Sequence, residues 1–381
     1  MPPKRVLVTT VPFGELSRRP LELLEVAGIS YTLNPHGRRL HPSELLALVP
    51  GHDAVIAGTE AIGSEVLATP GLRLIARVGI GLDNVDLCVA RAKGVAVAYT
   101  PDAPSPAVAE LSVGLMLDLV RKISASDRSL RAGAWSRWAG RRLGACTVGI
   151  IGAGRVGSRV MRHLLGGFPG VRILANDIDP AVMAGSDTSI SWGSKETIYA
   201  EADVISLHVP LTPLTWRLIG HQQFAQMKAA ALVINTSRGG VVVEADLAQA
   251  LNDRRIAGAA VDVFEHEPYS GPLSVCDSCV LTPHLGSMTA DCRMRMEYEA
   301  AAETVTFLER GELRSPVPEE EYRLREALRR GLGNSAGRDI ASAEHPNVEQ
   351  PAVGRDLRVD PNSQRDLETQ PASKEDSALH G

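Results

Sequence analysis

The run VGIIGAGRVG, Val148–Gly157, constrains this 381-residue chain more than any other segment. A short apolar stretch of strand type leads directly into Gly152, Gly154 and Gly157 in the spacing GxGxxG. A helical pattern follows over Arg155–Leu165. Gly152 permits a tight turn, Gly154 lets the backbone approach an anion, and Gly157 permits a helix to lie close on the strand. The helix N-terminus then offers unpaired N–H groups and the positive end of its dipole to a pyrophosphate. A second strand-like run, VRILAND, ends at Asp177, 20 positions after Gly157, where a carboxylate accepts ribose hydroxyls. Ile178 and Asp179 follow, with no arginine to pair a 2′-phosphate that a carboxylate would also repel. The segment therefore reads as a dinucleotide site for NAD rather than NADP. One departure is GGFPGV, Gly166–Val171, which lengthens the next turn.

The surrounding pattern alternates short β-rich runs with helical stretches. Strands are expected at Arg5–Thr9, Ser30–Leu33, Ala54–Ala57, Leu72–Val78 and Val95–Tyr99. A second set is expected at Val148–Ile151, Val171–Ala175, Val204–Val209, Leu232–Asn235, Ala259–Val263 and Val280–Thr282. This order argues an α/β fold with parallel sheets, and the near-continuous apolar runs argue strands buried on both faces. Helices are expected at Leu21–Ala27, Ser43–Leu48, Ile62–Ala68 and Thr289–Leu308. One long helix is expected over Ala107–Ala132, about 38 Å at 1.5 Å per residue, to bridge domains or serve a dimer interface. From about Ser315 the chain turns polar and reads as a disordered tail, with one short polar helix possible at Glu319–Arg330.

The formal net charge is −5, which gives no electrostatic footprint for nucleic acid or an anionic membrane. No stretch reaches the roughly 18 uncharged apolar residues of a membrane helix. The opening MPPKRVLVTT has no apolar leader, so a cytoplasmic protein is expected. Five cysteines do not make a disulfide framework. Cys276 and Cys279 form a CxxC, but no second ligand pair lies at zinc-like spacing, so a loop before a strand and no metal site are expected.

Three further segments each follow a strand, where open α/β sheets bind ligands. They are VINTSRGG with Arg238, VDVFEHEP with Asp262 and Glu267, and VLTPHLGS with His284. Together they supply what hydride transfer from a hydroxy acid to a nicotinamide requires. A guanidinium holds a carboxylate bidentately and polarises the carbonyl. An imidazole takes the hydroxyl proton near neutral pH. A carboxylate beside the imidazole orients it and favours its charged form. Each also has a plainer reading: Arg238 a surface arginine, Glu267 a solvated loop charge like Glu265, and His284 a structural histidine. His266 ranks below His284.

Taken jointly, RVGIGLDNVD (Arg77–Asp86), GAGRVG with Asp177, INTSRGG, DVFEHEP and TPHLGS resemble the D-isomer-specific 2-hydroxyacid dehydrogenases, most closely the phosphoglycerate dehydrogenase-like branch. The resemblance covers roughly Lys4 to Gly311. It implies catalytic roles for Arg238, Glu267 and His284. It implies further NAD contacts at Arg155 and Val156, at Val209 and Pro210, at Thr236 and Asp262, and at Ser287. It also implies that backbone N–H groups of Val78 and Gly79 meet the substrate carboxylate. Gly79 and Gly81 suit that role, since a missing Cβ lets a ligand approach.

The fold implied is a Rossmann doubly wound parallel sheet, 102–284, inserted into a smaller flavodoxin-like α/β substrate domain, 1–101 and 285–314. Residues 315–381 form the tail. Hinge closure over a small 2-hydroxy or 2-oxo acid and a homodimer are expected, the long helix, Trp135 and Trp138 falling at its interface. The usual phosphate-binding arginine is absent from VIAGTE, Val55–Glu60. Arg77 and Arg137 stand at anion-binding positions, or are surface charges. TPDAPSPAVAEL places prolines where an Asn-rich turn is usual, and no regulatory domain is expected after the core. The alternatives are a dehydrogenase of a phosphonate or another unusual hydroxy acid, and a non-catalytic dinucleotide sensor. A formate dehydrogenase is disfavoured, because its histidine partner is usually Gln.

Overall fold

A computed structural model describes residues 3–184 and 187–331. Among the described residues, twelve strands form two wholly parallel sheets. The first contains β1 (Arg5–Val8), β2 (Ser30–Leu33), β3 (Ala54–Ala57), β4 (Leu74–Arg77) and β5 (Ala96–Ala98), in the order β2-β1-β3-β4-β5. The second contains β6 (Thr147–Ile151), β7 (Arg172–Asn176), β8 (Ile190–Trp192), β9 (Val204–Leu207), β10 (Leu232–Asn235), β11 (Gly258–Val261) and β12 (Cys279–Leu281). Its order is β12-β11-β10-β9-β6-β7-β8. The order reverses between β1 and β3 in one sheet and between β6 and β9 in the other, which opens a crevice at the strands' carboxyl ends.

Both sheets are covered on both faces. Val6 and Val8 enter one core cluster and Leu7 another. Val233 faces one side of β10, while Leu232 and Ile234 face the other. Inner strands are apolar throughout for this reason. The helix Ala290–Arg310, capped by Gly311 at φ 74°, returns the chain from the second sheet to pack on the helix Arg19–Val26 and on β4. Strand β8 was not expected: it is a half-exposed edge of three residues with no apolar run to announce it.

Two expectations require correction. The long helix is two helices, Ser105–Arg121 and Ile123–Arg131. Lys122 takes φ 56° between them, and the Asp118 carboxylate accepts the backbone N–H of Ser124 at 2.7 Å and also its hydroxyl. The break separates two environments: the first helix buries Ala109, Leu115, Met116 and Val120, and the second buries nothing.

Residues 315–331, expected to belong to the tail, are packed on the first sheet's side of the fold. Pro316 bridges Ala98 antiparallel, Val317 is buried, and the helix Glu319–Gly331 docks on the helix Leu87–Lys93. Arg91 holds it, paired with Glu319 at 2.6 Å and Glu326 at 3.3 Å and lying 3.8 Å from the Tyr322 ring centroid. A charge network with one aromatic platform thus orders a segment whose composition alone argued otherwise. The remainder of the expected tail, 332–381, lies outside the described residues.

Cys276 and Cys279 flank the start of β12, both buried in the apolar core. Among the described residues no cluster of His, Cys, Asp and Glu is arranged to hold a metal, and no helix is long and apolar enough to cross a membrane.

The glycine turn supplies a stability test. A Cβ at Gly157 would stand 2.0 Å from the Gly152 carbonyl oxygen, whereas one at Gly154 meets nothing within 4 Å. Gly157→Ala is expected to destabilise the fold by about 1–3 kcal/mol in urea unfolding. Gly154→Ala is expected to stay within about 1 kcal/mol of the parent. Equal stability of the two variants would contradict this packing.

Candidate active site

A cavity of about 350 Å³ lies where the carboxyl ends of β4, β6, β9, β10, β11 and β12 converge. Much of its wall is built from turns that the sequence singled out. Gly152 takes φ 91°, and a Cβ there would stand 2.5 Å from the His208 carbonyl oxygen, so only glycine fits. Gly154, Arg155 and Val156 open the helix Arg155–Gly167 beside it. The Asp177 carboxylate accepts the N–H of Ala153 at 2.6 Å and of Asp179 at 2.9 Å, fixing it against the glycine turn. Val209 and Pro210 continue the wall, as do Thr236, whose hydroxyl is 2.8 Å from that of Ser112, and Ser287.

These residues fit a dinucleotide on their own geometry. There is open space over Gly154, a helix N-terminus aimed at it, and a carboxylate at the end of the neighbouring strand.

Asp262 organises the other side. It is 1% exposed, and its carboxylate accepts the Thr282 hydroxyl at 2.6 Å and the N–H groups of Leu285 at 2.7 Å and Gly286 at 2.9 Å. Burial raises its pKa against the pull of these donors. The loop wound around it holds His284 at φ 54°, a left-handed conformation uncommon outside glycine. The His284 Nδ1 lies 2.9 Å from Glu267 Oε2 and 3.1 Å from Oε1. Burial pushes the Glu267 carboxyl upward, but the hydrogen bond and charge of His284 outweigh it and hold the group below the usual range. Glu267 also accepts the Phe264 N–H at 3.1 Å.

Arg238 reaches the cavity from the end of β10. Its Nε donates to Asp83 Oδ1 at 2.9 Å and its Nη1 to the Ser237 carbonyl at 2.7 Å. Burial opposes the Asp83 charge, yet the Arg238 guanidinium holds that carboxyl down at about 2. Asp83 in turn keeps Arg238 raised. A Cβ on Gly81 would fall 1.6 Å from Arg238 Nη2. The missing Cβ at Gly81 is what admits this guanidinium.

Arg77 is no surface charge. It is 4% exposed, it donates to the carbonyls of Gly81 at 3.1 Å and Ala57 at 3.2 Å, and burial pushes its pKa down to about 10.

Three residues expected at the substrate stand differently in the structure. Val78 and Gly79 line the cavity, but their N–H groups are already engaged. Val78 donates to the Ala57 carbonyl at 2.9 Å, continuing the ladder, and Gly79 to the Thr100 hydroxyl at 2.8 Å. Arg137 is exposed in an irregular stretch and lies outside the cavity wall, because the segment runs on past the exposed helix Ile123–Arg131. In VIAGTE, Glu60 is buried, accepting the Gly58 N–H at 3.0 Å and the Thr9 hydroxyl, and Thr59 faces the cavity.

Sequence reasoning missed four participants. Asp83 lay within a quoted motif, but its partner stands 155 positions away. Arg39 donates to the Glu267 carbonyl at 3.3 Å from a loop with no distinguishing pattern. His208 follows β9, a position after a strand that could have flagged it. Burial pushes its pKa down to about 3, so it lines the cavity uncharged. The last is the helix Glu319–Gly331, which contributes Glu321 and Arg325 to the wall.

Comparison with known proteins agrees with this geometry. The sequence model for the NAD binding domain of D-isomer specific 2-hydroxyacid dehydrogenases matches residues 113–286. A hydroxypyruvate reductase of Thermotoga maritima is 37% identical over 268 residues, covering 68% of this chain and 86% of the relative. A D-3-phosphoglycerate dehydrogenase of Methanocaldococcus jannaschii is 37% identical over 284 residues, 73% of this chain. The match spans only 54% of that longer relative. The crystal structure of the TT0316 protein from Thermus thermophilus superposes with a TM-score of 0.75 at 34% identity, covering 82% of this chain and all of that one. The chain belongs to the D-isomer specific 2-hydroxyacid dehydrogenase family and is an NAD-dependent oxidoreductase of 2-hydroxy acids.

Proposed function

We propose that Arg238, Glu267 and His284 carry the reaction, and the bond from His284 Nδ1 to the Glu267 carboxylate is the observation that supports this reading. With its Nδ1–H given to Glu267, the ring presents Nε2 as a proton acceptor. In oxidation, the substrate O–H bond breaks toward Nε2, the Cα–H electron pair leaves as hydride, and the carbonyl forms. Bound NAD supplies the hydride acceptor. In reduction, the same Nε2 returns its proton to the carbonyl oxygen. Arg238, braced on Asp83, directs its remaining N–H groups at the carboxylate and the developing oxyanion. Arg77 adds a second buried cation to the wall, and the N–H groups of Ile80 and Gly81 take the place expected of Val78 and Gly79.

The reading extends to the architecture. Residues 1–101 and 285–314 act as the substrate lobe and 102–284 as the coenzyme lobe, closing over the ligand. Two copies associate through the helix Ile123–Arg131 and its surroundings, where Ile123, Leu130, Trp135 and Trp138 are all exposed. Five free cysteines suit a reducing cytoplasm.

The test is a panel of 3-phosphohydroxypyruvate, hydroxypyruvate, glyoxylate, pyruvate and 2-oxoglutarate, followed by NADH consumption. His284→Ala and Arg238→Ala are expected to reduce turnover at least ~100-fold. Near-parental turnover in His284→Ala would overturn the assignment.

The carboxylates separate by pH. Asp83, held at about 2, keeps its charge and its bond to Arg238 at every pH above that value, and loses both only as pH falls through it. Asp83→Asn is therefore expected to lower kcat/KM by about 10–100-fold without moving either limb of the pH profile. Glu267, also held below the usual carboxylate range, accepts the His284 Nδ1–H as a charged partner, and Glu267→Gln is expected to lower kcat/KM by about 10–100-fold. Parental kcat/KM in Glu267→Gln would rule out a part for this pairing in the reaction.

A further inference from the structure

We infer that Arg325, on the C-terminal helix Glu319–Gly331, is a binding residue for the diphosphate of the dinucleotide, held opposite the glycine turn. Pro318, Glu321 and Arg325 form part of the same cavity wall as Gly154, Arg155 and Val156. Tyr99 lines the same cavity, and the charges of both Arg155 and Glu321 reach its hydroxyl. Arg325, one helical turn beyond Glu321, thus shares the wall with the residues that open the helix Arg155–Gly167, whose first turn presents its N–H groups.

The guanidinium itself is unfinished. Its Nε is enclosed by protein without a hydrogen-bond acceptor, and its nearest carboxylate, Glu321, is 3.8 Å away. Among the described residues it makes no hydrogen bond at all, although it carries five N–H donors. Nε is shut in by protein, so the Nη groups, the open part of the guanidinium, are the donors that an anion in the cavity meets. Arg155 on the facing wall is already drawn aside by Asp102 at 2.9 Å. A doubly charged diphosphate between two guanidiniums satisfies both, with planar N–H forks matched to phosphate oxygens.

The helix is placed to do this without moving. Arg91 grips Glu319 and Glu326 and stacks on Tyr322, and Arg329 pairs with Asp86 at 2.9 Å. These anchors belong to the first sheet's side of the cleft, whereas Gly154 and Arg155 belong to the second. A diphosphate held by both would tie the two sides together, so that coenzyme binding itself favours the closed cleft.

The inference rests on the dinucleotide reading of the glycine turn, and the test separates the two. Kd values for NADH and for ADP-ribose, which has the diphosphate but no nicotinamide, are measured by calorimetry on the full chain. Arg325→Ala, Arg325→Lys and Arg329→Ala are compared with the parent. Arg325→Ala is expected to raise both Kd values about ten-fold, in keeping with one charge-assisted hydrogen bond. Arg325→Lys should recover part of the loss. Arg329→Ala, which touches only the docking face, should bind as the parent does. The KM for the 2-oxo acid at saturating NADH should not change in any of them.

Kd values within two-fold of the parent in Arg325→Ala would overturn the inference. So would a raised KM for the acid with unchanged NADH binding, which would assign the contact to the substrate. An equal loss in Arg329→Ala would overturn it too, as a sign of helix docking alone. A parent chain that binds neither ligand would bring down the dinucleotide reading as well.

Discussion

The buried carboxylate of Asp262 is the constraint on which the site depends. It stands at the end of β11 and accepts three hydrogen bonds from the segment Thr282–Gly286. Withdrawing a carboxylate from water is unfavourable unless donors replace the lost hydration, and these three do so. Because all three come from one short loop, satisfying the charge also folds that loop. His284 is held in its left-handed conformation as a consequence, and its ring meets Glu267 rather than solvent. Gly286 packs close to the same carboxylate, a Cβ there falling 3.2 Å from Oδ2, so the turn tolerates little bulk.

A common device runs through the cavity. Three of the groups that face it are braced by a carboxylate partner: Arg238 by Asp83, His284 by Glu267, and Arg155 by Asp102. The braces cross between distant parts of the chain, and the one on Arg238 joins the loop after β4 to the loop after β10. Such pairs add orientation more than stability, since a partly exposed ion pair is worth little net. Preorganised donors matter in a cleft that closes on a substrate, because they need not reorient during the reaction. Arg39, donating across to the Glu267 carbonyl, extends the same bracing to the loop that carries the carboxylate.

Much of the fold was legible from local pattern. β2, β3 and β10 fall within the bounds expected, because runs such as AVIA and LVIN are buried on both faces and bounded by turn residues. β8 was not legible, since a half-exposed edge needs no apolar run. The break at Lys122 was missed because either side of it is a good helix former, and only the Asp118–Ser124 bond and the change of burial mark the stop. The helix Glu319–Gly331 was half legible: its period could be read, but its docking depends on Arg91, far back in the chain.

The sequence by itself determined the glycine turn with its acidic strand end, the parallel α/β plan, and the Arg, Glu and His that come together beside the cavity. These follow from short-range stereochemistry: a turn that excludes a Cβ, an apolar period, and a side chain placed just after a strand. Only the tertiary structure decided that Gly81 is bare for the sake of Arg238, that Arg77 is buried, that the N–H groups of Val78 and Gly79 are already spent, and that a polar C-terminal helix walls the cleft. Those outcomes are contacts between residues tens to hundreds of positions apart. Which of two distant groups meets a given carbonyl or charge is set by how the two sheets face one another, and no local pattern carries that information.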